Sequence, residues 1–413
     1  NWTCYDPPGA GPVEMVSTSM KPGVSLTKII DFGGSAFLSN QVTVTGSSVP
    51  AAPASTAWWN NTIQTLPAAG GSALTAGVIY IAPANVSLAA TFSVQAENVA
   101  VVTAPTATVR SAGADPMIEN TGKLFSWIEG NFDGNVTANA GISLNGSSGF
   151  HRLEKVRVWN VVGNAASGGI ELKNVTDSLL FDVRVANVTN GNGILISDST
   201  GQTSRNIIRR VSLYNNGGSG LSLQASAAIS DLIVFDFYSS SNGGAGIDFQ
   251  GTGSFRNSII MNSTLVHNVG YGINLGNTGN TDSISLINLA VVNSGQNGLY
   301  MTPGSVNHQI IDGAYVLNGV AEINMNGSAS AYVSGLFVVG IIPAPCLNFN
   351  ADFSDPACNA PEVTLDTSIF NGSTAATGFI NHRGSADPAN ASAPSAAYGP
   401  AMDWVNFNFP WRM

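Results

Sequence analysis

Four side chains of the sequence combine cationic donors with aromatic rings at a spacing that could place them on one face. Arg157 and Trp159 are two residues apart in an alternating apolar stretch, and Arg184 and Tyr214 occupy related places in two later stretches of the same kind. Guanidinium groups bind carboxylates in a forked geometry, and aromatic rings offer flat apolar surfaces. These four residues are therefore candidates for binding a glycan, preferably an acidic one.

The alternative is that the two arginines are neutralised within the chain. Glu154, Asp182 and Asp236 are the carboxylates that could form ion pairs with them. The aromatic residues would then be ordinary exposed residues of a sheet. The sequence leaves both interpretations open.

Ionisable residues that could catalyse a reaction are few. Those on the central repeats are the first candidates for a polysaccharide lyase or a glycoside hydrolase. They are Asp236, Asp248, Arg209, Arg210 and His267. An enzyme would be expected to place three or more such groups in one groove with shifted pKa values.

Metal and cofactor chemistry has no recognisable motif in this sequence. The four histidines are scattered without metal-ligand spacing, and no phosphate loop or dinucleotide fingerprint occurs. We therefore expect no metal site and no cofactor.

These side chains must be positioned by a repeat, since a Gly-Ile/Leu-x-apolar segment recurs every 24 to 28 residues. The copies begin at Gly141, Gly169, Gly193, Gly220, Gly246, Gly272 and Gly298, with a degenerate copy at 321–325. Their middle residues are Ser143, Glu171, Leu195, Ser222, Asp248, Asn274, Tyr300 and Asn324, which we expect to point outward. The two acids in this series are three repeats apart, about 14 Å, too far to share a metal or to form the carboxylate pair of a glycosidase.

A second strand-like segment keeps step with the first and ends in Asn. The residues are Asn160, Asn187, Asn215, Asn268, Asn293 and Asn318. Asn tolerates left-handed backbone geometry, and its amide could bond to the Asn one repeat away. Gly before each short strand is expected to permit a sharp corner. Short strands about 26 residues apart, with no room for helices between them, predict a parallel β-solenoid.

The pattern resembles the pectin-lyase-like superfamily of right-handed parallel β-helices. The strand at Gly77–Pro83, the glycine-led repeats and the asparagine series carry this resemblance over residues 56–340. It implies the fold, in a superfamily that includes pectate lyases, polygalacturonases, epimerases, phage tailspikes and surface proteins. Asn280-Thr281-Asp282 matches one polygalacturonase motif, but the acidic pair, the Gly-His-Gly and the Arg-x-Lys are missing. The resemblance therefore implies no particular activity.

The two ends of the solenoid require caps, because open ends expose strand edges. Residues 56–66 have helix-like apolar spacing, so we expect a short capping helix there, with Gly77–Pro83 as the first strand. The domains are then an N-terminal extension (1–55), the β-helix (56–340) and an irregular C-terminal cap and tail (341–413). The tail ends in Trp404, Phe407, Phe409 and Trp411, which we expect to dock on the solenoid or on another subunit.

Composition limits the partners and the compartment. The formal net charge of −10 and the pI near 4.7 argue against nucleic acid, and no apolar run approaches the ~20 residues of a membrane helix. The chain begins at Asn1, as expected for a processed product. Cys346 and Cys358 bracket a short loop and could form a disulfide, with Cys4 left over. A secreted or cell-surface location fits these features.

Three functional interpretations result. The first is an extracellular structural or binding protein, such as an adhesin, fibre or sheath component, that binds a polysaccharide or cell-surface glycan and could form homo-oligomers or filaments. The second is a polysaccharide lyase or glycoside hydrolase with an unrecognised site. The third is a protein similar to phage tailspikes.

Overall fold

The computed structural model describes residues 62–319 with short gaps, and the strands on either side that are named below. The gaps are residues 68–69, 122–125, 147–150, 200–201, 277–279, 302–304 and 306. All regular structure in the described residues is β-strand, as the all-β prediction required. No helix in this part of the chain is long and apolar enough to cross a membrane.

The described strands form three sheets. An antiparallel sheet near the N-terminus contains β1 (Trp2–Tyr5), β2 (Val13–Thr18), β3 (Ser25–Ile30) and β4 (Val42–Thr45). A ten-stranded parallel sheet of short strands contains β8 (Phe92–Val94), β11 (Ile118–Thr121), β13 (Ile142–Asn145), β15 (Gly168–Lys173), β17 (Asn192–Ser197), β20 (Leu221–Ala225), β23 (Ile247–Gly251), β25 (Ile273–Leu275), β27 (Leu299–Met301) and β29 (Ile323–Met325).

The third sheet has nineteen strands and is parallel except at β33. It contains β5 (Thr62–Thr65), β6 (Val78–Ala82), β7 (Val86–Leu88), β9 (Val99–Thr103), β10 (Thr108–Ser111), β12 (Ser126–Asp133), β14 (Arg152–Val161), β16 (Leu179–Val188), β18 (Gln202–Ser204), β19 (Ile207–Tyr214), β21 (Ala228–Ser230), β22 (Ile233–Ser240), β24 (Ser254–Val266), β26 (Asn280–Val292), β28 (His308–Val316), β30 (Ser330–Gly340), β31 (Glu362–Asp366), β32 (Ser368–Gly372) and β33 (Ile380–His382).

Each short strand pairs in parallel with its equivalent one turn later, which makes the chain a β-solenoid. Ile247 pairs with Ile273, and Ile273 pairs with Leu299, so the rungs are about 26 residues apart, as predicted. These three side chains are 0% exposed and stack along the solenoid axis. Burial of one such aliphatic side chain contributes about 1.5–3 kcal/mol. The repeated core position therefore specifies the register of the whole sheet.

Each central rung turns through three left-handed corners, five residues apart, with φ between 45° and 57°. The first series is Asp177, Arg205, Asp231, Asn257, Ser283 and Asn307. The second is Lys155, Asp182, Arg210, Asp236, Asn262, Asn288 and Asp312. The third is Asn160, Asn187, Asn215, Ser241, His267, Asn293 and Leu317. Asn and Asp adopt this geometry most readily, and stacking on the adjacent rungs imposes it on the other residue types.

The predicted asparagine series divides between two adjacent positions. Asn268 and Asn318 lie at a buried ladder position, whereas the other four lie at the third corner, one residue earlier: Asn160, Asn187, Asn215 and Asn293. Asn216 Nδ2 donates to Asn242 Oδ1 at 2.9 Å, and Asn242 Nδ2 donates to Asn268 Oδ1 at 2.9 Å. All three side chains are buried. Asn215, in contrast, is exposed at a left-handed corner. At the third corner, left-handed geometry and the buried asparagine ladder therefore belong to two adjacent residues. At the second corner one residue can do both, since Asn288 Nδ2 donates to Asn262 Oδ1 at 3.0 Å.

The glycines that open the short strands are needed for space and not for a corner. None of the repeat glycines has φ in the left-handed region. A Cβ on Gly272 would lie 2.1 Å from Val291 Cγ1 and 2.5 Å from the carbonyl oxygen of Gly298. A Cβ on Gly246 would lie 2.4 Å from Leu265 Cδ2. Close packing between the short strand and the facing sheet therefore excludes any side chain here.

The capping helix predicted for residues 56–66 is not present where the structure describes this segment. Thr62–Thr65 is a strand that pairs in parallel with Val78–Ala82, and residues 56–61 lie outside the described residues. β-Branched Thr and Ile favour an extended backbone, and pairing with the next rung outweighs the helix-like spacing. The strand at Val78–Ala82 is confirmed, but Thr62–Thr65 precedes it.

Candidate functional site

All four glycan-binding candidates and their neighbours occupy the outward positions between the second and third corners. Arg157 lies in register with Arg184, and Arg184 with Ser212. Two residues along the strands, Trp159 lies in register with Ala186, and Ala186 with Tyr214. The next rung adds Tyr238 and Ser240 to these two rows. We call this surface the arginine face: Arg157, Trp159, Arg184, Ala186, Ser212, Tyr214, Tyr238 and Ser240.

The two arginines of this face project into solvent one rung apart, about 4.8 Å between backbones. Both side chains are exposed. No ion pair joins either of them to a carboxylate among the described residues. Glu154, one of their three proposed partners, is buried and forms an ion pair with Arg152 at 2.5 Å. The described structure therefore does not support the alternative interpretation, in which acidic residues of the chain neutralise these two arginines.

The aromatic residues of the arginine face leave a gap between them. Trp159 is half-buried and Tyr214 is 40% exposed, and the small side chain of Ala186 separates them by two rungs, about 10 Å. Tyr238, which the sequence analysis missed, adds a third ring beside Ser212. Its rung ends in Ser241 instead of Asn, so the signal that marked the other rungs was absent there.

Three catalytic candidates meet at the second corner. The Arg209 guanidinium lies 5.7 Å and 5.2 Å from the ring centres of Phe181 and Phe235, and that of Arg210 lies 5.3 Å from Phe181. Asp236 is on the adjacent rung, with one buried carboxylate oxygen that has no hydrogen-bond partner in the described structure. Burial raises the pKa of Asp236, and the charges of the two arginines oppose that effect.

The other two catalytic candidates are elsewhere. His267 is exposed at the third corner. Asp248 lies in the ten-stranded sheet, where it accepts hydrogen bonds from Ser219 Oγ at 3.1 Å and from Asn274 Nδ2 at 2.9 Å. The five candidates are therefore divided among three places and do not form one site. Asp248 has the bonding of a structural carboxylate.

The middle positions of the short strands pair with one another as predicted, but many are not exposed. Leu195 is 1% and Ser222 is 0% exposed. Toward the C-terminal rungs, Tyr271 and Tyr300 stack with ring centres 5.1 Å apart. Burial raises the pKa of Tyr271, with smaller contributions from Tyr300 and Asp248. Period-two alternation could not reveal which outward positions are covered.

Two residues with shifted pKa values, His308 and Glu129, were not among the candidates from the sequence. His308 Nδ1 accepts a hydrogen bond from the Ile284 backbone N–H at 3.2 Å, and burial lowers the pKa of His308 to about 4. On the early rungs, burial raises the pKa of Glu129 to about 7, although Lys155 lies 3.9 Å away. Both pKa shifts depend on how deeply the side chain is buried, and the spacing of the repeats gives no information on burial.

Two further predictions concern a metal site and a disulfide. In that part of the chain, no three His, Cys, Asp or Glu side chains lie close enough to hold a metal ion. The predicted disulfide between Cys346 and Cys358 lies outside the described residues. The aromatic residues Trp404, Phe407, Phe409 and Trp411 lie outside them as well.

A protein-family comparison finds one similarity within the repeat. Residues 140–313 match the family described as a right-handed β-helix region. This stretch contains the glycine-led rungs and the arginine face. The match supports the predicted right-handed β-helix over these residues. No curated protein sequence matches the chain.

Solved structures with a similar backbone include polysaccharide-active enzymes and a phage protein. The A-module of the mannuronan C-5 epimerase AlgE4 from Azotobacter vinelandii is 12% identical, over 71% of this chain and 91% of its own, with a TM-score of 0.48. Pectate lyase Pel9A is 16% identical, over 70% and 74%, with a TM-score of 0.44. ORF18 of Geobacillus virus E2 is 14% identical, over 78% and 58%, with a TM-score of 0.37. These similarities concern the fold and assign no activity.

Proposed function

We propose that the protein is an extracellular or cell-surface binding protein, an adhesin, fibre or sheath component, that holds an acidic polysaccharide along its arginine face. The observation that carries this proposal is the pair Arg157 and Arg184, which lie in register with no carboxylate partner in the described structure. Like charges directly opposite each other destabilise a sheet. A bound anion would relieve that repulsion and provide charge-assisted hydrogen bonds.

The shape of the arginine face suits a chain-like ligand. Its four rungs extend about 14 Å along the solenoid axis, and its two rows are about 7 Å apart. One row supplies the cations and Tyr238, and the other supplies Trp159 and Tyr214 with a gap at Ala186. Sugar rings could rest on the aromatic row while carboxylates or sulfates reach the arginines. The rungs fix the backbone positions of these groups before binding, so that only side chains have to be ordered.

An enzyme is the second candidate, and Asp236 is the observation in its favour. Its raised pKa and the adjacent Arg209 and Arg210 are the combination found at acid–base sites. A hydrolase or lyase that used this cluster would need a further acid or base. Asp248 and His267 lie too far round the solenoid to provide it, so binding without turnover fits the geometry better.

The test is a glycan array combined with lyase and reducing-end assays on the same acidic and neutral polysaccharides, with and without calcium. We expect binding to acidic glycans, its loss in the Arg157→Ser/Arg184→Ser double variant, and no turnover. Arg256→Ser, which removes an exposed arginine near the first corner, is the matched control and should bind normally. Turnover that is lost in Asp236→Asn would instead establish the enzyme, and no binding to any glycan would contradict the proposal.

A further inference from the structure

The surface between the first and second corners is unusually apolar for an outward-facing sheet. Each of its rungs has two outward positions, and on six successive rungs most of them are hydrophobic. We call this surface the apolar face: Leu179, Phe181, Ile207, Arg209, Ile233, Phe235, Ile259, Met261, Ser285, Ile287, Gln309 and Ile311. Ile207 and Ile233 are 38% and 37% exposed. Six rungs at ~4.8 Å give a strip about 24 Å long.

The one cation of the apolar face does not make it polar. The Arg209 guanidinium is stacked between Phe181 and Phe235, within 6 Å of both ring centres. Its planar faces are thus covered by the aromatic rings, which extends the apolar surface across its rung. A strip of this size is comparable to the largest apolar patch of a typical monomer, and such patches are often functional.

The dimensions of the strip favour a single extended segment over a second protein. Two outward positions per rung make the strip about 12 Å wide, so it offers roughly 300 Å². A stable interface between two proteins buries about 1,200 Å² or more in total. The apolar face is therefore too small to hold a second copy of the solenoid by itself, but it is large enough for one peptide strand.

The chain contains one segment whose pattern matches such a surface. In residues 404–411, Trp-Val-Asn-Phe-Asn-Phe-Pro-Trp, the side chains of Val405, Phe407, Phe409 and Trp411 alternate with Asn or Pro. Alternation with a period of two puts these four apolar side chains on one side of an extended strand. Seven extended residues span about 20 Å, close to the length of the strip.

We propose that residues 404–411 dock on the apolar face of the same chain as an extended strand, with Val405, Phe407, Phe409 and Trp411 against the sheet. The 21 residues between His382, the last residue of β33, and Trp404 can extend over about 70 Å, which is enough to reach any rung of the strip. Docking removes from water both the aromatic side of the segment and the exposed side chains of the strip. This contact is separate from the arginine face and does not depend on glycan binding.

Photo-crosslinking in the full chain tests the proposal. The photoreactive phenylalanine analogue p-benzoylphenylalanine replaces Phe235, and the crosslinked peptide is identified by mass spectrometry. We expect a crosslink to 404–411 within monomers. The same probe in place of Tyr238, three residues further along on the arginine face, should not capture this segment. No tail peptide at Phe235, or equal capture from both positions, would overturn the proposal, as would capture only between two copies.

Variants of the segment provide the second arm. Phe407→Ser/Phe409→Ser should reduce the crosslink at least tenfold, whereas Asn406→Ser/Asn408→Ser, on the opposite side of the strand, should leave it unchanged. The thermal transition of each variant shows whether the solenoid remains folded. Equal crosslinking in both pairs of variants would refute docking by the aromatic side.

Discussion

The same substitution should cost much more stability at Asn216 than at its neighbour Asn215. Asn216 Oδ1 accepts the backbone N–H of Val188 at 3.2 Å, and its Nδ2 donates to Asn242 Oδ1 at 2.9 Å. Asn216→Gly leaves that buried N–H without an acceptor, at a cost of about 1–3 kcal/mol, and removes a side-chain bond worth about 0.5–1.5 kcal/mol. We expect a loss of about 2–4 kcal/mol in the free energy of unfolding.

Asn215→Gly is the matched control. Asn215 is exposed with φ of 54°, a geometry that Gly adopts without strain. We expect its free energy of unfolding to change by less than about 1 kcal/mol. Urea unfolding followed by circular dichroism measures both variants. Equal losses, or a larger loss for Asn215→Gly, would show that the ladder is not assigned to the correct residue.

Three further predictions concern pH, space and charge. Glu129→Gln should remove a pH dependence. Because burial raises the folded pKa of Glu129 to about 7 from its ordinary value of 4.5, this group makes stability fall as pH rises from 4.5 to 7, by up to about 3 kcal/mol. The variant should therefore gain stability relative to the native chain at pH 8 but not at pH 4, as urea unfolding at each pH would test. Gly272→Ala should lower the melting temperature strongly and Gly313→Ala only slightly. The reason is that the nearest atom to the added Cβ lies at 2.1 Å in the first variant and at 3.1 Å in the second. Similar losses of melting temperature in a calorimetric scan would refute the packing argument. Arg184→Ser should raise the free energy of unfolding by about 0.2–1 kcal/mol at low salt because repulsion from Arg157 is removed, and no gain, or one that persists in high salt, would count against that repulsion.

The sequence predicted the solenoid and the register of its short strands because both depend on a repeated local pattern. Gly, an apolar residue and a second apolar residue recur at one period, and each repeat buries the same two side chains. The pairing of Arg157 with Arg184 followed from the same reasoning. Where a rung lacked its marker, as at Ser241, the equivalent residue Tyr238 was overlooked.

Features that depend on burial and on contacts between rungs could not be predicted from the spacing of the repeats. The left-handed corner and the ladder position are adjacent, and both contain Asn, so Asn215 and Asn216 could not be distinguished without hydrogen bonds. The glycines looked like corner residues, although their role is close packing. The segment around Thr62–Thr65 had helix-like apolar spacing, but pairing with the next rung decided its conformation.

The central claim, that the arginine face binds an acidic polysaccharide, is tested most directly by titrating the native chain, Arg184→Ser and Arg256→Ser with one acidic oligosaccharide at two salt concentrations. A charge-assisted hydrogen bond contributes about 1.5–3 kcal/mol, so Kd should rise at least tenfold in Arg184→Ser and stay unchanged in Arg256→Ser. Higher salt should weaken binding by the native chain more than by Arg184→Ser. Equal affinities for the native chain and Arg184→Ser, or equal losses in both variants, would contradict the account.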